Sequence, residues 1–556
     1  MRASRAADLW WRVASIYCVD VEKYADSDGD GIGDFRGLTE RVEHLDRLGV
    51  TCIWLMPFYP TANRDDGYDI TDYYSIDPRL GTLGDFVEFM RTARHHGMRV
   101  IADLVVNHTS DQHPWFQASK SSSANPYRDW YVWRDRPPEE GPKGEVFPGE
   151  QNGVWTKHRG TGQYYLHRFY PHQPDLNVTN SAVRDEIARI LGFWMELGLS
   201  GFRVDAVPFL LETEGTVDPT ALSDPHDFLR DLRAFMHRRN GESVLLGEVN
   251  LPYQELQAFF GEDADELTMC FDFVGMQAMY LALARRDASP LAHALRDRPA
   301  APQEGQWATF IRNHDELTLD KLTRSERQEV FDAFGPQEDM QIFDRGLRRR
   351  LPPMLDGDLD RIKMVYSMLY SLPGTPVLFY GEEIGMGENL DVPGRLAVRT
   401  PMQWAGGPTA GFTTADPGEM VLPVPDGEYG PDHVSVAQQL HDPDSLMAWM
   451  QMVNRRFREC PALGLGEVTV YDLAEPAVLA HQLTADGDTV LVLHHLDEEP
   501  VDVVVPVTGL DDGAELCDML HRGPGLPEPH VIADGEVKVH LGRYGCRWLR
   551  LTRHQT

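Results

Sequence analysis

Eight short apolar runs that alternate with helical segments constrain the fold of this 556-residue chain more than any other feature. Amphipathic periodicity predicts helices between them, for example at Leu83–Gly97, Ala182–Leu197 and His226–Arg239. Such alternation is typical of a parallel sheet with right-handed crossovers, and eight units favour an α/β fold of the (β/α)8 TIM barrel type over an open sheet. The predicted strands are Val13–Val19, Cys52–Pro57, Arg99–Val106, Gly201–Val207, Ser243–Val249, Leu267–Val274, Trp307–Arg312 and Pro376–Tyr380.

Three other segments do not follow the barrel pattern. Periodicity fails over residues 108–175, and because so long a loop is improbable in a compact domain, this stretch predicts a small inserted domain after the third strand. Residues 323–350 are charged and helical in pattern, which predicts a helical insertion. Residues 461–556 contain short Val- and Leu-rich runs between turns, typical of an antiparallel β-sandwich domain. The barrel is thus predicted to comprise 1–107 and 176–460.

The charge balance narrows the partners that the chain is expected to have. The net charge of -35 repels phosphate backbones and anionic lipids, so we expect no nucleic-acid or membrane partner. The segment Met1–Tyr17 carries charges and lacks the apolar core of a signal peptide, and the six cysteines show no CxxC spacing, so a cytoplasmic protein with reduced thiols is expected. No phosphate-binding Gly-rich loop or HExxH motif is found, which argues against an organic nucleotide cofactor or a zinc hydrolase. Whether the chain forms a homo-oligomer stays open.

Polar residues recur at the carboxyl ends of the predicted strands. A single one could be a satisfied core residue, but in a barrel of this type these ends converge on one face, which carries the active site. Several strands would each have to bear the cost of a buried polar end without any function. The set therefore predicts a site composed of Asp103, Asn107, His108, Arg203, Asp205, Glu248, His314 and Asp315.

Two carboxylates in this set suit the cleavage of a glycosidic bond, which needs one ionised and one protonated carboxyl group. Arg203 and Asp205 lie two positions apart and so on one face of a strand, where a structural ion pair is the alternative interpretation. The neighbouring guanidinium should lower the pKa of Asp205, which predicts the nucleophile. Glu248 has no cation nearby in sequence, which favours the raised pKa of a general acid.

An acidic loop after the first strand predicts a structural Ca²⁺ site. Oxygen ligands at alternate positions and Gly31 at the sixth match the first nine positions of a calcium loop. The twelfth position is Gly37 instead of the Glu of an EF-hand, so a stand-alone site is favoured, with a solvated acidic turn as the alternative. The predicted ligands are Asp26, Asp28, Asp30, the carbonyl of Ile32, and Asp34.

Five motifs together resemble the alpha-amylase superfamily, glycoside hydrolase family 13. They are Asp103-Leu-Val-Val-Asn-His108, Gly201-Phe-Arg-Val-Asp205, the strand ending at Glu248, Asn313-His-Asp315 and Gln173-Pro-Asp-Leu-Asn177. The resemblance implies Asp205 as nucleophile, Glu248 as acid/base and Asp315 as stabiliser of the bound sugar. It also implies substrate contacts from His108, Gln173, Arg203 and His314, and a pocket closed around a non-reducing glucose by Asp65, Tyr68 and Arg399.

Within that family the chain is most similar to the members that interconvert maltose and trehalose. Small α-glucosides such as these are therefore the expected substrates. The chain departs from those members around Val249 and Asp272, where the acceptor sugar is expected. The alternatives are an α-glucosidase or transglucosidase that uses another acceptor and, more remotely, a non-catalytic sugar-binding protein.

Overall fold

The computed structural model describes residues 9–138, 146–147, 151, 153–211, 224–523, 525 and 527–552. Its centre is a closed barrel of eight parallel strands, each paired with its two neighbours in the barrel. This confirms the predicted (β/α)8 barrel. The strands are Ile16–Val19, Cys52–Leu55, Arg99–Leu104, Gly201–Val204, Val244–Gly247, Met269–Phe271, Gln306–Phe310 and Thr375–Phe379.

The barrel strands are buried on both faces, which explains why they read as continuous apolar runs in the sequence. The first residue of the fourth strand is a glycine, Gly201, because a Cβ atom there would lie 2.2 Å from the carbonyl oxygen of Val244 on the fifth strand. Helices that follow the strands cover the barrel. The longer ones are Phe35–Glu40, Val42–Leu48, Leu83–His95, Ser181–Glu196, Asp227–His237, Phe273–Arg285, Ser289–Asp297, Leu359–Ser371 and Leu446–Glu459, and the shorter are Val207–Leu211, Tyr253–Leu256, Leu351–Met354, Val436–Gln439 and Ala462–Leu465.

The described part of the segment after the third strand contains the α-helix Pro114–Ser121, the 3-10 helix Arg128–Trp130 and a three-stranded antiparallel sheet of Trp133–Arg134, Tyr164–Leu166 and Trp155–Lys157. These elements lie within residues 108–175, where the sequence predicts a small inserted domain, and residues 139–145, 148–150 and 152 lie outside the described part. The segment is anchored to the barrel, since Leu176 N donates to the carbonyl of Asn107 at 2.9 Å. One edge of the active face is therefore built by this domain.

The insertion predicted as helical over residues 323–350 is helical only in its first part. A helix spans Arg324–Phe334 and starts with a capping box at Thr323. Gly335 and the following Pro336 end it, because proline cannot continue a helix. The rest contributes Gln341–Ile342 and Gly346–Leu347 to a small antiparallel sheet whose third strand, Leu317–Thr318, precedes the insertion, so the charged composition was misleading there.

The C-terminal region is antiparallel, as predicted. A six-stranded sheet contains Glu467–Tyr471, Val478–Ala485, Asp488–His495, Cys546–Leu551, Glu515–Asp518 and His530–Val531, and a two-stranded sheet pairs Val501–Pro506 with Glu536–Leu541. One apolar cluster, including Leu491, Val503 and Val539, joins the two sheets into a sandwich. Among the described helices, none combines the length and the apolar character that crossing a membrane requires.

Candidate active site

Arg203 lies at the centre of the site. It is the last residue but one of the fourth barrel strand, Gly201–Val204. Its guanidinium is fully buried and contacts three carboxylates. Nη1 lies 2.7 Å from Asp103 Oδ1 and 2.6 Å from Asp205 Oδ1, and Nη2 lies 2.9 Å from Glu248 Oε2. Strands three, four and five thus bring together the two carboxylates that the sequence predicted as nucleophile and acid.

The turn after Asp205 positions Glu248. The fourth strand ends at Val204, and the backbone turns directly after Asp205 because Ala206 has a left-handed conformation, with φ +50°. This turn aims the N–H of Ala206 at Glu248, whose Oε2 accepts its hydrogen bond at 3.1 Å. Strained backbone of this kind is common at functional sites, and here it fixes one carboxylate beside the other.

Both carboxyl groups have raised pKa values. Burial raises the pKa of Glu248 to about 7, with help from the charges of Asp205 and Asp315, although Arg203 opposes the shift. Burial likewise raises the pKa of Asp205 to about 6 despite Arg203, and Asp103 and Asp315 add to the increase. The prediction that Asp205 has a lowered pKa is therefore wrong, because the sequence shows its neighbouring cation but not the burial or the other carboxylates. The order still holds, since Asp205 ionises before Glu248.

Asp315 has the opposite environment. Burial acts to raise its pKa, but His314, Arg395 and Arg399 outweigh that effect and hold the pKa well below its usual range. Arg399 Nη2 lies 3.0 Å from Asp315 Oδ1, and Arg395 also contacts this oxygen. Burial lowers the pKa of His314 well below its usual range, so at neutral pH its imidazole is uncharged, and Arg395 and Arg399 are the cations in contact with the Asp315 carboxylate. A fixed negative charge of this kind can stabilise positive charge on a bound sugar ring.

The site opens into a cavity of about 320 Å³ at the carboxyl ends of the strands. Six predicted residues line it: Asp65, Tyr68, His108, Asp205, Glu248 and Asp315. Four others lie behind this wall and hold it. Gln173 donates a hydrogen bond to Asp65 at 2.8 Å. A hydrogen bond of 2.6 Å joins Nε2 of His314 to the hydroxyl of Tyr68, and Arg399 donates to the carbonyl of His314 at 2.7 Å. Arg203 is the fourth.

Arg395 is a site residue that sequence reasoning missed. It lines the cavity, contacts Asp315 and lies 3.1 Å from Asp65 through Nη2. It belongs to a short 3-10 helix, Gly394–Val398, far from any strand end, so the strand-end argument could not reach it. The sequence feature that could have indicated Arg395 is its position four residues before Arg399, a predicted site residue. The ion pair of Arg395 with Asp65 closes one end of the cavity.

The rest of the wall is mixed. It includes the aromatic residues Phe147, Phe169, Phe209 and Phe273 and the amide Asn250, together with Asp320 and the ion pair of Glu316 and Arg345. Of the two positions where the sequence departs from the family members that it resembles, Val249 is buried in the core, and Asp272 caps a helix and contacts Arg298 at 2.8 Å. Their immediate neighbours Asn250 and Phe273 line the cavity, so any effect of these departures on the acceptor passes through adjacent residues.

The acidic loop brings together three of its predicted ligands. Carboxylate oxygens of Asp26, Asp28 and Asp34 lie within 4.8 Å of one another. Asp30 is not part of this cluster, because its Oδ1 accepts the N–H of Ile32 at 2.8 Å. Burial and then the nearby carboxylates, Asp30 first, raise the pKa of Asp28, which indicates crowding of negative charge. Asp26 and Asp34 are held in place by backbone donors, Gly31 N at 2.8 Å and Gly37 N at 2.7 Å. Three hard oxygen donors fixed in this way fit a Ca²⁺ ion.

Comparison with known proteins gives consistent matches over almost the whole chain. A family model described as the alpha amylase catalytic domain matches residues 18–333 and 349–464, and one described as a sucrose hydrolase-like C-terminal domain matches residues 487–550. A trehalose synthase of Pimelobacter sp. is 39% identical over 98% of this chain and 96% of its own length. A trehalose synthase/amylase of Mycolicibacterium smegmatis is 41% identical over 88% of this chain and 85% of its own. The crystal structure of the trehalulose synthase MutB from Pseudomonas mesoacidophila superposes with a TM-score of 0.76 at 28% identity, covering 98% of this chain and 99% of that one.

Proposed function

Because this chain belongs to the alpha-amylase family and is an enzyme of the glycoside hydrolase and transglucosylase type, we propose that it interconverts maltose and trehalose. The reaction moves a glucosyl unit within one active site, with some loss to water. Relatives of nearly equal length that are named trehalose synthases support this proposal. The observation that carries it is the closed end of the cavity at Asp65 and Arg395, which leaves room for a short sugar and not for the interior of a polymer.

The proposed mechanism is retaining. Ionised Asp205 attacks the anomeric carbon while protonated Glu248 gives its proton to the leaving oxygen, forming a glucosyl-Asp205 ester and a free sugar. Glu248 then removes a proton from a hydroxyl group of the waiting sugar, which attacks the ester and regenerates Asp205. Contact of both carboxylates with one guanidinium supports the short separation that retention requires.

An α-glucosidase or transglucosidase with another acceptor is the second candidate. Asn250 and Phe273, beside the two departures, support it because they line the same cavity as Glu248. Incubation with maltose distinguishes the two functions. We expect trehalose to accumulate in excess of free glucose, measured by anion-exchange chromatography over time. Glucose without trehalose would favour the α-glucosidase, and no reaction with maltose would exclude both forms of the proposal.

The pH dependence of the reaction follows from the two carboxyl groups. Activity requires Asp205 ionised and Glu248 protonated. We expect kcat/KM on maltose to fall as the pH drops through about 6, because Asp205 becomes protonated, and to fall as it rises through about 7, because Glu248 loses its proton. Rates measured from pH 4.5 to 9 at constant ionic strength test this. Circular dichroism at each pH controls for unfolding, and a flat profile between pH 5 and 8 would contradict the assignment.

We also propose that Asp26, Asp28 and Asp34 bind a structural Ca²⁺, with the Ile32 carbonyl and a reoriented Asp30 as further ligands. A metal bound only by the native state adds to stability, by about 2.7 kcal/mol at a concentration of 100 times its Kd. Excess chelator should therefore lower the melting temperature by several degrees, and added Ca²⁺ should restore it. The triple replacement of Asp26, Asp28 and Asp34 by Asn should abolish this response. An unchanged melting temperature, with no metal detected by elemental analysis, would remove the claim.

A further inference from the structure

A second cavity, of about 350 Å³, lies directly behind the closed end of the active site. Asp65 and Arg395 line both cavities, so their ion pair, at 3.1 Å, is the partition between the two spaces. The remaining wall comes from the loops around residues 22–23, 63–66, 393–399 and 421–422 and from Tyr170 of the inserted segment. No step of the proposed reaction uses this space.

The chemistry of its wall suits a neutral hydroxylated ligand. Four basic residues, Lys23, Arg64, Arg395 and Arg399, face three acidic ones, Glu22, Asp65 and Asp66, so the charges are almost balanced. The active-site cavity differs, because among its described lining residues six are acidic and two are basic. A nearly balanced set of ion pairs favours neither an anion nor a cation, and its oxygen and nitrogen atoms suit the hydroxyl groups of a sugar.

The same wall offers the apolar surface that one face of a sugar ring requires. Tyr170 is held by His172, with ring centroids 5.2 Å apart and 6° between the planes, and by Phe147 at 4.9 Å. Leu396 and Leu422 complete this side. A fixed aromatic ring beside paired charges is a suitable platform for the C–H face of a neutral sugar, as in other concave ligand sites.

A chain of ionic contacts links this wall to the catalytic residues. Lys23 Nζ lies 2.6 Å from Asp66, Asp66 lies 2.7 Å from Arg399, and Arg399 lies 3.0 Å from Asp315. Arg395 forms the parallel link from Asp65 to Asp315. A ligand that contacts Asp66 or Arg395 in the second cavity therefore acts on the groups that keep Asp315 ionised.

We propose that the second cavity binds a neutral monosaccharide or disaccharide and that its occupancy changes sugar affinity in the active site through Asp65 and Arg395. Glucose is the simplest probe. The choice of glucose rests on the proposed function, whereas the second site itself does not. Binding in the second cavity orders the partition, so the two sites are coupled in both directions.

Equilibrium titration of the native enzyme with glucose, together with crystals soaked in glucose, tests this proposal. We expect two glucose molecules per chain, one in each cavity. Leu396→Trp, which fills the second cavity from the 3-10 helix, should reduce the count to one, and Val421→Trp should do the same from the loop of residues 421–422. Leu440→Trp is the matched control, since Leu440 is 44% exposed and lines neither cavity, and it should keep two sites.

Kinetics give a second measurement that does not require trehalose formation. Glucose should inhibit hydrolysis of p-nitrophenyl α-glucoside by a mixed pattern in the native enzyme and in a purely competitive manner in Leu396→Trp. A lack of trehalose from maltose would defeat the proposed function and leave the site count unchanged. Glucose density confined to the active site, or two sites kept in filling variants of native melting temperature, would overturn the second site.

Discussion

Replacing Asp205 by Ala is expected to abolish hydrolysis and glucosyl transfer together, by about four orders of magnitude or more in kcat. Both outcomes require the same glucosyl-Asp205 ester, so no separate route remains for either one. Loss of the carboxylate also removes one of the three contacts of Arg203, whose contacts with Asp103 and Glu248 remain. The fold should therefore survive, and the melting temperature checks this.

Rescue by azide makes the Asp205 test specific. A small anion can enter the space vacated by the carboxylate and attack α-glucosyl fluoride from the same face, which gives β-glucosyl azide and free fluoride. Asp103→Asn is the matched control, since Asp103 contacts the same guanidinium at 2.7 Å but does not line the cavity. This control should be slower than the native enzyme without forming the azide product. Near-normal activity of Asp205→Ala would end the nucleophile assignment.

The barrel was predictable because its strands are buried on both faces. Continuous apolar runs of this kind survive in the sequence whatever the loops do. The strand ends were less predictable: the fourth strand was expected to reach Val207 but ends at Val204, since the backbone at Ala206 turns into the left-handed region. An alanine in the sequence does not predict such a turn. The hydrogen bond that accompanies the turn is made with Glu248, which lies 42 residues further along the chain.

The site was predictable wherever its residues follow barrel strands and unpredictable elsewhere. Asp205 and Glu248 meet at Arg203 because neighbouring parallel strands end at the same level. Arg395 reaches Asp65 only through a long loop after the eighth strand, and the pairing spans 330 residues of sequence. The pKa prediction for Asp205 was wrong for the same reason, since two of the groups that set this pKa, Asp103 and Asp315, come from other strands and loops.

Replacing Glu248 by Ala is expected to have an effect that depends on the leaving group. Removal of a general acid costs about 10²- to 10⁴-fold, so kcat on maltose and on trehalose should fall by that range. With α-glucosyl fluoride the leaving group is fluoride, which departs without protonation. Formation of the glucosyl-Asp205 ester from this donor should therefore be largely spared. The second step still needs a base to take the proton of the incoming hydroxyl group. The glucosyl-Asp205 ester should therefore accumulate, visible by mass spectrometry of the intact protein as the mass of one added glucosyl unit.

Glu248→Gln separates loss of the proton from loss of shape. A glutamine oxygen can still accept the N–H of Ala206, as Glu248 does at 3.1 Å, and its amide still fills the same part of the wall. It cannot protonate a leaving group near pH 7, so it should match the Ala variant on maltose and equal or exceed it on the fluoride. If both variants lost the fluoride reaction as completely as the maltose reaction, or if no ester accumulated in either, Glu248 would be a positioning group for Asp205, and the proton donor would have to be another residue of the cavity.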